Sequence, residues 1–254
     1  MGRDSVDVAS YPGFAEFRYD ESRLDLAQAA SLRFDDTYRL AHLPLVSPGH
    51  PLAIDHRPGL DYHQGTYERA RYSLVAPIST DELTASGPYT RFAEEMAGAS
   101  FNDKISATML KRRIDRLHAT ITGGLQPAEA ARQAEAISSS FRGRRGFGVR
   151  IKGPFLGTRN TGRIYLPVVP EIVRGEHAFG LIQRLLGLPV TGFYAVGVFN
   201  FDDELDQNQV RELHDVVERW KHQTLAELRV THLQILVTHD DLALSARVLV
   251  DVPL

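Results

Sequence analysis

The chain of 254 residues is 43% hydrophobic and 24% charged, which suits one large or two closely joined globular domains with a real core and excludes a disordered chain. A net charge of −3 argues against an extended nucleic-acid surface while leaving room for a small basic site. Zero cysteines exclude disulfides, thiolate catalysis and Cys-ligated metals, and apolar runs such as Leu166-Pro167-Val168-Val169-Pro170 are far short of a membrane span.

Met1-Gly2-Arg3-Asp4-Ser5 has no apolar signal core, so the expected location is cytoplasmic. Residues 1–70 read as an irregular extension, broken by Tyr11-Pro12-Gly13-Phe14, Ser47-Pro48-Gly49-His50-Pro51 and Arg57-Pro58-Gly59, with one short helix expected over 24–32. Phe14, Phe17, Tyr19, Phe34 and Tyr38 are too many aromatics for a solvated tail, so the extension is expected to pack on a main domain over 71–254. His42, His50, His56 and His63 lie here at irregular spacings that match no compact metal site, and no metal is expected.

From Arg71 the pattern becomes regular. It predicts a strand over 72–77 stopped by Pro77, a helix over 83–96 with Phe92 and Met96 one turn apart, and a strand at Leu117-His118-Ala119-Thr120-Ile121. A helix over 128–141 follows, then strands over 147–152 and 162–168 joined by a turn-rich link. The second half repeats the order: a helix over 178–186, a strand over 193–199, and a helix over 206–221 with Val210, Leu213, Val217 and Trp220 on one face. Strands over 228–238 and 247–252 flank an Asp240-Asp241 turn. The expected fold is α+β: two pseudo-symmetric β-α-β-β lobes, about 71–170 and 171–254, around a central cleft.

The period of two along the His118 strand puts the His118 and Thr120 side chains on one face. An imidazole that titrates near neutrality beside a hydroxyl can hold and protonate an oxyanion; the plain alternative is a half-buried strand with a hydrogen-bonded histidine. Phe101-Asn102-Asp103-Lys104-Ile105, then His118-Ala119-Thr120, then Gly123-Gly124-Leu125 resembles the two-histidine phosphoesterase superfamily, the RNA ligase/cyclic nucleotide phosphodiesterase fold, and within it uncharacterised bacterial branches with a similar Phe-x-x-Lys-Ile stretch. The resemblance covers about 71–254. It implies a bilobal fold in which one His-x-Thr from each half faces a shared cleft, and an enzyme on a phosphodiester or cyclic phosphate of a nucleotide-like molecule. His118 would then be the acid/base and Thr120 its phosphate-binding partner.

The second motif is missing. Aligning the halves by their following helices places Ala195 opposite His118 and Gly197 opposite Thr120. Thr231-His232-Leu233-Gln234-Ile235 only echoes the motif, with Gln234 where Thr or Ser belongs. Small residues at 195 and 197 are expected to enlarge the cleft, with Tyr194 and Asn200 bracketing the vacated positions.

Expected substrate binders are Lys104, Arg116, Tyr72, Arg150, Lys152, Tyr194 and Asn200; Arg150 and Lys152 share one face of their strand. Lys111-Arg112-Arg113 and Arg142-Arg144-Arg145 read as basic clusters in loops. No P-loop or dinucleotide-binding fingerprint is present, so no cofactor is expected, and the partner is a small molecule rather than a membrane or an extended nucleic acid. Two alternatives remain: a repurposed single-histidine enzyme on a non-phosphate substrate in a specialised bacterial pathway, and a non-catalytic binding protein. A phosphate site should gather cations near His118, whereas a site for an apolar substrate should gather Tyr72, Phe193 and Tyr194.

Overall fold

The computed structural model of the chain describes residues 13–17, 19 and 22–254; Met1-Gly2-Arg3-Asp4-Ser5, Tyr11 and Pro12 lie outside them. Helices Asp36–Ala41 (α1) and Leu43–Val46 (α2) precede strands Tyr62–His63 (β1) and Thr66–Pro77 (β2). Helices Thr80–Ala85 (α3), Gly87–Gly98 (α4) and Ala107–Arg113 (α5) lead to strand His118–Gly123 (β3) and helix Ala130–Ser140 (α6). Then come Phe147–Lys152 (β4), Phe155–Leu156 (β5), Arg163–Pro170 (β6), the hairpin Ile172–Val173 (β7) and Glu176–His177 (β8), and helix Ala178–Leu185 (α7). Strand Ala195–Asn200 (β9), helix Gln207–Trp220 (α8) and strands Thr224–Val230 (β10), His232–Asp240 (β11) and Arg247–Pro253 (β12) complete the order.

The protein is α+β, with two five-stranded antiparallel sheets. In the first, β2 pairs with β1 and β3 along one edge and with β11 along the other, and β12 lies outside β11. In the second, β6 carries β9 on one edge and β4 and β5 on the other, with β10 outside β4. Both sheets repeat one step: an inner strand, a helical segment, then the edge strand (β2 to β3, β6 to β9). The two edges so formed, bearing His118 and Ala195, lie beside one another.

The sheets are interleaved in sequence, so a boundary near 170 does not separate them: the last two strands return to the first sheet. The run over 228–238, expected as one strand, is two. Val230 ends a strand paired to β4, and His232 begins one that pairs with β2 and β12, so Thr231 carries the chain from one sheet to the other. Both segments mix β-branched and other apolar residues, and hydrophobic pattern does not reveal a change of partner.

Strand alternation sets the core. Ala119 and Ile121 of β3 and Phe147, Val149 and Ile151 of β4 are buried, with Phe92, Ile137, Phe179 and Leu213 of the helices in the same cluster. Leu26, Leu32, Phe34, Tyr38 and Leu43 from the N-terminal region join it. No helix forms over 24–32. Arg23 bridges Gly157 and Leu32 bridges Leu205, so this segment is pinned to the domain at both ends, with a turn at Ala27 and Gln28 between them. The helix expected over 83–96 is split by Ser86, with Pro88 in the first turn of α4, where its missing N–H costs nothing. Among the described residues no helix is long and apolar enough to cross a membrane.

Candidate active site

His118 opens β3, paired with Pro77 of β2. Its Nδ1 lies 2.8 Å from the carbonyl oxygen of Arg116. A carbonyl only accepts, so Nδ1 carries the proton and Nε2 keeps its lone pair. Burial pushes the ring down to about 4; the Arg116 carbonyl opposes this, and the charges of Arg113 and Arg163 add to it. The imidazole is therefore neutral at pH 7 and suited to take a proton rather than give one.

His118 lines a pocket of about 320 Å³ together with Lys111, Arg112, Asp115, Arg116 and Gln234, over apolar walls from Pro77, Leu236 and Val248. The basic run at 111–113 is not a loop. It forms the end of α5, where cations complement the carbonyl end of the helix. Lys111 and Arg112 are exposed while Arg113 is buried. Arg116 donates to the carbonyls of Ala243 and Ala246, both at 3.2 Å, which ties the β11–β12 loop to the pocket. That loop is folded around Asp240, whose carboxylate accepts from the backbone of Leu242, Leu244 and Ser245 and from the Ser245 hydroxyl.

The other expected site residues lie apart from this pocket. Thr120 shares the His118 face and is exposed, but does not line the pocket. Lys104 is held by Asp203 at 2.7 Å, on the connection after β9. Tyr72 packs against the core. Arg150 pairs with Glu227 at 2.7 Å and covers the Phe14 ring at 3.9 Å; Lys152 donates to Thr224 at 3.0 Å. Both face a different pocket, of about 540 Å³, on the second sheet. Tyr194 is buried, its hydroxyl bonded to Gln183 and Thr191, and Asn200 is buried at the end of β9. His232 lines a third pocket with Asp81, Glu82 and Asp115. It belongs to the same sheet as His118 rather than to the facing one. Among the described residues no three His, Asp or Glu side chains are grouped as a metal site.

The chain matches no protein-family model and no curated protein. Among solved structures it is similar to Usb1 of Kluyveromyces marxianus, determined with uridine monophosphate, at 11% identity and a TM-score of 0.37 over 73% of this chain and 98% of that one.

The space opposite Thr120 overturns one expectation. Gly197 does not enlarge a cleft, because a Cβ there would lie 1.9 Å from Nε of Arg163. Two guanidiniums occupy that place: Arg113 donates to the Gly197 carbonyl at 2.7 Å and Arg163 at 3.3 Å. Neither arginine stands out in the sequence as a buried residue. The one signal is indirect, a glycine in a strand, which marks close approach by another group. Gly197→Ala is accordingly expected to lower stability by about 1–3 kcal/mol through overpacking, read as a lower urea midpoint. A midpoint at or above that of the unaltered protein would show that the guanidinium has somewhere else to go.

Proposed function

We propose that this protein is a phosphoesterase-type enzyme acting on a phosphodiester or cyclic phosphate of a nucleotide-like small molecule, with His118 as a general base. One observation carries the reading: Lys111, Arg112 and Arg116 line the pocket with His118, whereas Tyr72, Phe193 and Tyr194 do not. Three cations against the single carboxylate of Asp115 favour an anionic substrate over an apolar one.

In this reading the cations hold the non-bridging phosphate oxygens. The lone pair of Nε2 takes the proton of an attacking water, the new P–O bond forms, and the P–O bond to the leaving group breaks. Ala195 stands on the facing strand where a second histidine would, so no imidazole there protonates the departing oxygen. The natural leaving group must depart as a stable anion or take its proton from solvent. Activated aryl phosphodiesters should therefore be cleaved much faster than 2′,3′-cyclic nucleotides, for which loss of one acid/base costs about 10²- to 10⁴-fold.

A panel of both substrate types assayed with the purified protein tests this. Turnover of a simple cyclic nucleotide at the usual ~1–10³ s⁻¹ would reveal a second catalytic residue, with His232 the first to replace. Lys111→Gln with Arg112→Gln should raise KM for any cleaved diester, and the effect should shrink at high salt. No cleavage of either substrate type, combined with binding of an uncharged aromatic ligand in the pocket, would sink the proposal.

A further inference from the structure

Beside β9, four polar side chains meet from four separate elements: His42 between α1 and α2, Arg113 at the end of α5, Arg163 at the start of β6 and Asn200 at the end of β9. They are 2%, 3%, 7% and 1% exposed. Arg163 and Asn200 are register partners across β6 and β9. The two guanidiniums share the Gly197 carbonyl, and both of their charges, after burial itself, hold His42 in its neutral form.

Arginine does not shed its charge in a protein, so burying two guanidiniums side by side calls for a counter-charge. Among the described residues no carboxylate forms an ion pair with either. Asp240 is the acid that acts on Arg113, and its oxygens are already taken by four donors of its own loop. Tyr38 and Tyr165 also border the cluster, and the Tyr38 hydroxyl gives its proton to the Phe201 carbonyl at 2.6 Å. Meanwhile Nε of Arg163 and Nδ1 of His42 are buried without any partner among the described residues, and the buried amide of Asn200 has the Tyr38 hydroxyl beside it. Both nitrogens and the Asn200 NH2 group are able to donate, and they come from three different elements of the chain.

We propose that this cluster binds a compact oxyanion of the phosphate or sulfate type as a structural ion linking the N-terminal helices to the second sheet. Several acceptor oxygens on one centre suit donors from separate elements, and a full negative charge answers the arginine pair. The site is distinct from the His118 pocket, which shares none of these four residues, and the proposal stands whether or not that pocket is catalytic.

The test is thermal melting of the full chain after it has been unfolded, stripped of anions and refolded in phosphate- and sulfate-free buffer. Adding inorganic phosphate or sulfate should raise Tm saturably, by about 5–10 °C at roughly 100 times Kd, and His118→Gln should keep that response. Arg163→Gln should lose it. Asn200→Asp sets a carboxylate beside Arg163, and is expected to melt above the unaltered protein in anion-free buffer and to respond no further; it decides the matter even where Arg163→Gln fails to fold. The proposal is overturned if the unaltered protein gives no saturable shift, if chloride does as well as phosphate, or if Asn200→Asp responds like the unaltered protein. Loss of the response in His118→Gln would also overturn it, by moving the ion to the pocket.

Discussion

Replacing His118 with alanine is expected to lower turnover of a cleavable diester by roughly 10²- to 10⁴-fold, with little change in Tm. The ring is half-buried beside a pocket, and among the described residues its one hydrogen bond is to the carbonyl of Arg116, two residues away in the chain. Little of the fold therefore depends on it. The pH profile gives an independent check. A base held at about 4 by burial is already neutral at pH 7, so activity limited by it should rise as pH passes through about 4 and stay level through neutrality. A histidine acting as an acid would show the reverse slope. Linkage works in the same direction. The folded pKa lies below the ordinary value of 6.5, so the stabilising contribution is complete above about 6.5 and is lost as pH falls through about 4. His118→Ala should flatten the melting curve over that interval. If the variant unfolds readily while its folded fraction stays fully active, His118 is a structural residue and the site lies elsewhere.

Tyr38→Ala is expected to cost about 3–5 kcal/mol, in the range for deleting a buried aromatic. Tyr38 is fully buried in α1, its ring 4.8 Å from Phe34 and 5.3 Å from His42, and its hydroxyl donates to the Phe201 carbonyl at 2.6 Å. It lies so close over Gly162 that a Cβ there would come within 2.3 Å of the ring. The side chain thus joins the N-terminal region to the β5–β6 and β9–α8 connections at once. A change confined to a detachable extension would cost under about 1 kcal/mol, as surface substitutions do. Urea unfolding separates the cases, because a large fall in midpoint at constant m means lost stability of the whole. Tyr38→Phe keeps the ring and loses only the hydroxyl. It should recover most of the difference, short of the ~1–3 kcal/mol for leaving a buried carbonyl unpaired.

The parts of this protein legible in its sequence are those where one local period decides the outcome. Alternation along His118-Ala119-Thr120-Ile121 put His118 and Thr120 on one face, and the structure buries the intervening Ala119 and Ile121. The 3.6-residue spacing of Val210, Leu213, Val217 and Trp220 likewise marked the inner face of α8, whose start Asp206 and Gln209 secure as a capping box. Lys111, Arg112 and Arg116 were visible as cations, but that they gather around His118 depends on α5 and on a β11–β12 loop about 130 residues further along. Thr231 was unreadable as a crossing point because strand propensity carries no label for the partner strand.

Sequence alone also made Gly197 look like a vacancy, since losing a side chain reads as gaining room. Only the tertiary structure decided otherwise. Arg113 and Arg163 come from a helix and a strand on either side of β3, and they meet at one backbone carbonyl that a side chain on residue 197 would have screened. A charged residue in isolation is read as solvent-facing because burial is costly. What offsets that cost is the set of groups the fold brings to the same place, and neighbours of that kind are set by packing rather than by any pattern along the chain.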